Sequence, residues 1–447
     1  MSDSHFIIEK SGPISGEVAL VGAKNAVLVI IASLILTEGK SKLVNVPSSQ
    51  DVLYMIQLLT ELGAQIYFNQ DEGILDVDTS GINRCKVNHE IMKKMRASIL
   101  VMGPLLARFG RADIALPGGC IIGARPINYH IANFVKMGVT IQMDGDFLYA
   151  KTTKLVSRKL VLDYPSVGAT ENIMMAAVLT SGVTRIINAA LEPEVLDLID
   201  VLKKMGAIIT VFAPATIDVT GVTSLKPIEH KIMSDRLEAG TLLLAAAITG
   251  GTLAIPDARA DHLDTFLAKL QEMGHQILVG PDDLGITIHA THTPQAVSFK
   301  TAPYPGFPTD LQAPMMAAQC LAQGQSIIEE TVFENRLIHA KELQKMGASI
   351  HIEYNKAIVT GVSALQGASV TATDIRAAGA LIIAGFAATG TTIMGGVHHV
   401  MRGYEGLDNK FVRLGGKIML QSTRTVAQET QSAQIIKNYS PTPKSLE

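Results

Sequence analysis

The run LPGGCIIGARP, Leu116 to Pro126, sets a thiol and a guanidinium five residues apart in a stretch containing three glycines. Gly118, Gly119 and Gly123 permit backbone angles barred to other residues and let a ligand approach the main chain. A cysteine beside a cation, on a loop feeding a helix, has a depressed thiol pKa and is nucleophilic. Cys120 is so placed, and Arg125 supplies the cation, with a fork suited to phosphate or carboxylate. The same residues also fit a tight turn over a buried cysteine, since free Cys is among the most buried residue types.

Further cations stand where ordinary helix chemistry does not want them. Lys24 with Asn25, Arg96 with Ser98, Ser166 to Thr170, Asp235 with Arg236, Thr309 with Asp310, and Asp374 with Arg376 each precede a strongly apolar segment. Ser, Thr and Asp at such points cap helices, and Ser234, Thr309 and Thr373 are the expected caps. Lys24, Arg96 and Arg376 oppose the helix dipole instead, which suggests a shared anionic ligand. Arg336 and Arg402 each lie twelve residues past a glycine, Gly324 and Gly390, at matching points of two repeats.

The elements that must position these residues repeat. ELGAQI, KMGVTI, KMGAII, EMGHQI, KMGASI and RLGGKI recur roughly 70 residues apart, so six like units fill the 447-residue chain. Ahead of each phrase a glycine (Gly39, Gly110, Gly182, Gly251, Gly324 and Gly390) opens a short apolar strand. Ahead of each glycine lies a segment apolar on nearly every face, such as AVLVIIASLIL or GTLLLAAAIT, and a helix of that kind belongs in the interior. The expected architecture is α/β, an inside-out barrel with apolar helices at the centre and sheets outside. It comprises two similar domains, each of three βαβαββ-type units. The boundaries predicted are 22–233 for the first domain, carrying the Cys120 loop, and 1–21 with 234–420 for the second. Residues 1 to about 21 are expected to complete the last repeat's sheet, and the polar tail 421–447 reads as disordered.

Composition narrows the class. With 38 basic and 41 acidic residues the net charge is -3, which leaves no nucleic-acid footprint. The longest strongly apolar run, 26–36, is short of a membrane span. Three widely spaced cysteines, Cys85, Cys120 and Cys320, suit a reducing, cytoplasmic setting, with Cys85 and Cys320 read as inert. His398 and His399 lack further ligands at metal spacing, so no metal and no cofactor is expected.

Ten motifs in order carry a resemblance: GAKNA at 22, MRAS at 95, LPGGCIIGARP at 116, PSVGATENIM at 165, EPE at 192, DRLEAGT at 235, FPTDLQA at 307, ETVFENR at 330, ATDIRA at 372 and RGYE at 402. From about residue 5 to 420 the chain resembles the enolpyruvyl transferase family, in its branch acting on UDP-N-acetylglucosamine. The resemblance implies two three-unit domains closing over the substrates. It also implies transfer of the enolpyruvyl group of phosphoenolpyruvate to the 3'-hydroxyl of UDP-N-acetylglucosamine with release of phosphate, the first committed step of peptidoglycan synthesis.

Carried over residue by residue, the resemblance implies that Lys24, Arg125 and Arg402 hold the phosphate, with Asn25 beside them. Arg336 and Arg376 would meet the carboxylate. UDP-N-acetylglucosamine would be gripped by Arg96, Arg125, Pro126, Ile127, Asn128, Tyr129, His130, Ser166, Val167, Gly168, Asp310 and Val332. Asp310 is the implied base for the sugar hydroxyl. Cys120 is the implied acid for the enol carbon, and it matches the thiol that forms an adduct with phosphoenolpyruvate and is alkylated by fosfomycin. The catalytic group is then Cys120, Asp310, Lys24 and Arg402. Tyr164 before Pro165 departs from members that carry a lysine there, which bears on the uridine contacts. Two other readings compete: an enzyme with shikimate 3-phosphate as acceptor, and a non-catalytic scaffold of six repeats.

Overall fold

The structure, a computed structural model, describes residues 4–87, 89–116, 123 and 127–422. Its core follows from the apolar segments. Helices Lys24–Ser33, Val167–Ala177, Arg236–Thr249, Gln312–Gln319 and Ile375–Ala387 are buried along nearly their whole length, and Met102–Phe109 from Met102 to Leu106. A helix apolar on every face has no side to offer water, so it can only be surrounded. The second segment departs from a simple helix: a 3-10 stretch, Arg96–Val101, precedes its α-helical part.

All six strand-opening glycines stand immediately before a strand, beginning at Lys40, Arg111, Val183, Thr252, Gln325 and Thr391. The repeated phrases end a second set of helices, such as Gln50–Leu62 and Pro193–Met205. Gly63, Gly138, Gly206, Gly274, Gly347 and Gly415 all have φ between +87° and +116°, a left-handed turn that a Cβ would strain.

Among the described residues the strands form six separate sheets, and these do not join into a closed barrel. One complete unit shows the order: Lys159–Val161 beside Val183–Ile187, then Thr216–Thr220, then Ile208–Phe212 at the edge. The sheet that follows Met102–Phe109 has three strands, and an isolated bridge from Lys86 to Asp113 takes the fourth place. Among the described residues the last unit lacks its own final strand. The N-terminal strand His5–Glu9 fills that gap, pairing antiparallel with both Thr391–Gly395 and Lys417–Gln421, whereas Gly16–Glu17, expected in the same sheet, pairs with Thr252–Arg259 in another. Gln421, assigned from sequence to the tail, therefore belongs to a strand, and residues 423–447 lie outside the described ones.

Buried apolar side chains fall into two clusters, one drawn from 23–232 and the other from 6–20 and 237–418. The chain crosses between them twice, and the two crossings lie side by side: Ala23 N donates to Met233 O (2.7 Å) and Asp235 N to Val21 O (2.9 Å). Gly22 is required there, since a Cβ on it would lie 1.9 Å from the Asn45 carbonyl oxygen. Asp257 accepts from Leu20 N, and buried Glu238 from Val21 N. Burial pushes the Glu238 carboxyl up to about 7, against the pull of Lys410 at 2.7 Å. Among the described residues no helix is long and apolar enough to cross a membrane.

Candidate active site

At the seam of the two clusters the expected cations meet two carboxylates. Lys24 opens its helix, and its Nζ lies 3.4 Å from Asp51 Oδ2. Asp51 stands in the first turn of helix Gln50–Leu62, where the dipole favours a negative charge. Its other oxygen, Oδ1, accepts from Arg402 Nε at 3.0 Å. Arg402 lies in the short helix His398–Gly403 of the second cluster, so Asp51 joins the two halves. Beside this pair, Ser48 donates its N–H (3.0 Å) and Oγ (2.7 Å) to Glu405.

Asp310 forms the second centre. It accepts from Arg336 Nη2 at 2.8 Å and from Arg376 Nη2 at 3.0 Å. Arg376 is steadied by Tyr404, whose hydroxyl lies 3.1 Å from Nη1 and 3.0 Å from Thr241 Oγ1. Arg336 is 3% exposed, and its Nε and Nη1 have no hydrogen-bond partner among the described residues. Such buried donors are costly unless an acceptor reaches them. Buried Glu330 ties the loops on either side of Asp310, accepting from Thr309 Oγ1, Thr301 Oγ1 and the Val332 and Phe333 N–H groups. The two centres share one field. Burial lowers the Lys24 pKa; Asp51 opposes this, Arg376 and Arg402 add to it, and Asp310 opposes it. Asn25, next to Lys24, is exposed.

A third group gathers residues expected to hold a nucleotide sugar. Asn128, Tyr129 and His130 open helix Asn128–Lys136, preceded by Ile127, while Val167 and Gly168 open helix Val167–Ala177. His130 is buried against Gly168, with Nδ1 3.1 Å from Asn172 Nδ2; burial, with Arg96 nearby, lowers it to about 4. It is therefore a neutral ring at pH 7 that supports the junction of the two helices. Ser166 acts as an N-cap, its Oγ accepting from Ala169 N. Tyr164, at the position of the sequence departure, is half-buried. Its pKa is raised by burial first, then by Glu192, Glu330 and Tyr129.

The expected caps need correction. Asp235 and Asp374, each one residue further on, cap their helices in place of Ser234 and Thr373, because a carboxylate there reaches two N–H groups. Thr309 gives its hydroxyl to Glu330 and caps nothing; Pro308 stands at the cap position. Cys120, Arg125 and Pro126 lie outside the described residues. Gly123 is buried with φ +154°, and a Cβ on it would come within 2.4 Å of Glu334 Oε2, so this point of the loop lies against the second half. Of the other thiols, burial raises Cys85 and pushes Cys320 up to about 12.

Asp197, Asp200 and His230 have metal-like spacing. Lys204 already supplies the positive charge there, 2.7 Å from Asp200 and 3.0 Å from His230 Nδ1. The rings of His398 and His399 are tilted 38° to one another with centroids 4.0 Å apart, in the short helix that carries Arg402. Sequence reasoning missed Asp51, Glu330, Tyr404 and the buried bidentate pair of Arg236 with Glu194, at 3.0 and 3.1 Å. The motifs EPE, DRLEAGT, ETVFENR and RGYE contained four of these side chains without revealing their partners. Asp51 carried only the weak signal of an acid in a first helical turn.

Paired cations on either side of carboxylates suit a substrate with two anionic groups and a hydroxyl that must lose a proton. Solved structures share this fold. The enolpyruvyl transferase NikO from Streptomyces tendae aligns over 95% of this chain and 100% of its own, with TM-score 0.86 and 24% identity. An EPSP synthase from Acinetobacter baumannii aligns over 94% and 100%, with TM-score 0.73 and 17% identity. The family of EPSP synthase, 3-phosphoshikimate 1-carboxyvinyltransferase, matches residues 8–411, and the chain belongs to it. Within that breadth it is similar to proteins of one name. UDP-N-acetylglucosamine 1-carboxyvinyltransferase 1 of Caldanaerobacter subterraneus subsp. tengcongensis is 47% identical over 92% of this chain and 98% of its own length. The UDP-N-acetylglucosamine 1-carboxyvinyltransferase of Shewanella amazonensis is 46% identical over the same shares.

Proposed function

We infer that this enzyme transfers the enolpyruvyl group of phosphoenolpyruvate to the 3'-hydroxyl of UDP-N-acetylglucosamine and releases phosphate, in the cytoplasm, as the first committed step of peptidoglycan synthesis. One observation carries the choice of acceptor: identity of 44–47% with carboxyvinyltransferases of that name, across nine-tenths of the chain. The two clusters of buried side chains support two domains, 22–233 and 1–21 with 234–420, with substrates between them.

Lys24 and Arg402 hold the phosphate, together with Arg125, and Asn25 adds a polar contact. Arg336 and Arg376 meet the carboxylate, for which Arg336 has two buried donors to spare. The phosphate also favours the charged form of Lys24, which burial and its cationic neighbours disfavour. Protonation of C3, with Cys120 as the acid, makes C2 electrophilic. The sugar hydroxyl then bonds to C2 while Asp310 takes its proton, giving a tetrahedral ketal. Breaking the C2–O bond to phosphate and removing the C3 proton restores the double bond. The nucleotide sugar lies along Arg96, Arg125, Pro126, Ile127 to His130, Ser166 to Gly168 and Val332.

The test is phosphate release from phosphoenolpyruvate with either acceptor. Release that requires UDP-N-acetylglucosamine and stops with fosfomycin is expected. Release only with shikimate 3-phosphate would change the acceptor, and none with either would favour a scaffold.

A further inference from the structure

We propose that Asp51 is a positioning residue that competes with phosphate for Lys24 and Arg402, and so limits how tightly the enzyme holds the phosphate it releases. This rests on the phosphate role given above to those two cations. The geometry is that of one carboxylate shared by two cations from two different elements. Asp51 Oδ2 faces Lys24 Nζ at 3.4 Å and Oδ1 faces Arg402 Nε at 3.0 Å, with the carboxylate side chain 6% exposed. Its place is fixed twice over. It sits in the first turn of a long helix, where the dipole holds a negative charge. The segments bearing Asp51 and Arg402 are also pinned to each other by the two hydrogen bonds from Ser48 to Glu405.

A phosphate brought to the same two cations meets a buried negative charge a few ångströms behind them. Like charges so close, away from water, repel strongly. The cations must divide their donors between the carboxylate and the ligand, as Arg402 already does by spending its Nε on Asp51. With Asp51 between them, Lys24 and Arg402 together count as one net positive charge, where the unopposed pair would count as two. That is enough to orient phosphoenolpyruvate, whose carboxylate has its own arginines, but weak for inorganic phosphate, which has no second anchor. When the C2–O bond breaks, Asp51 is in place to take both cations back.

The experiment is titration of inorganic phosphate against wild type, Asp51→Asn and Asp51→Glu, read as product inhibition and by calorimetry. Asp51→Asn keeps the shape and removes the charge. In its complex the phosphate itself is the counter-charge that keeps Lys24 protonated. We expect Asp51→Asn to bind phosphate on the order of tenfold tighter, with lower KM for phosphoenolpyruvate and lower kcat. Asp51→Glu should restore wild-type phosphate affinity within about threefold, since it restores the charge. A purely structural role predicts the opposite sign, so phosphate binding that is weaker or unchanged in Asp51→Asn overturns the inference. If Asp51→Asn does not fold, Asp51→Ser is read in the same way. Failure of both to fold while Asp51→Glu folds would make Asp51 structural and overturn it too. Loss of UDP-N-acetylglucosamine-dependent phosphate release in wild type would instead strike the proposed function itself.

Discussion

Replacing Asp310 by Asn separates its two duties, bridging two arginines and taking a proton. The carboxylate accepts one hydrogen bond from Arg336 at 2.8 Å and one from Arg376 at 3.0 Å. An amide offers one acceptor oxygen, so one guanidinium would face an N–H donor. The oxygen should stay with Arg336, which is 3% exposed and already has two donors without partners, whereas Arg376 keeps Tyr404. The lost acceptor costs about 1–3 kcal/mol, a drop of a few degrees in melting temperature. The chemical loss is larger. Removing a general base slows a reaction by about 10²- to 10⁴-fold, or roughly 3–5 kcal/mol of barrier. Phosphate release with saturating substrates measures kcat, and a thermal melt shows whether the variant is folded. A folded Asp310→Asn with kcat within about tenfold of wild type would refute the base assignment, because no loss of bridging alone was meant to carry the effect.

Three further outcomes follow from the same geometry. Because the Lys24 pKa is lowered, chiefly by burial, its charge is lost as pH rises through a value below that of a free lysine; KM for phosphoenolpyruvate should rise there, and Lys24→Arg should flatten that limb of the profile. An unchanged limb in the arginine variant would place the titration elsewhere. Alkylation by an epoxide, mapped by peptide analysis, should find Cys120 and spare Cys85 and Cys320, whose thiols burial raises; equal labelling of all three would remove any special role for the loop thiol. Glu194→Gln leaves Arg236 buried beside a neutral partner, with Glu192 and Glu171 already raised by burial; it should cost about 3 kcal/mol, and a melt unchanged from wild type would show the pair to be dispensable.

The features readable from the sequence share a local origin. Six all-apolar helices and six strand-opening glycines were legible because each depends on periodicity or on the backbone freedom of one residue, and both are properties of a short segment. The N-terminal strand was legible for a related reason, since a repeat short of one strand leaves a gap between two others with backbone groups unpaired on both sides, and His5–Glu9 fills it. Even locally the reading erred by one residue at Ser234 and Thr373, where a neighbouring aspartate made the better cap. The tertiary structure alone decided which charges meet. Asp51 and Arg402 are 351 residues apart in the chain, and Asp310 and Arg376 are 66. No pattern in either segment names its partner, because Coulomb energy depends on distance in space and on burial, and both are set only when the six helices pack and the two halves dock. The amino-acid order thus fixed the kinds of charge at the helix starts, and packing decided that Asp51 and Asp310 would each be shared by two cations.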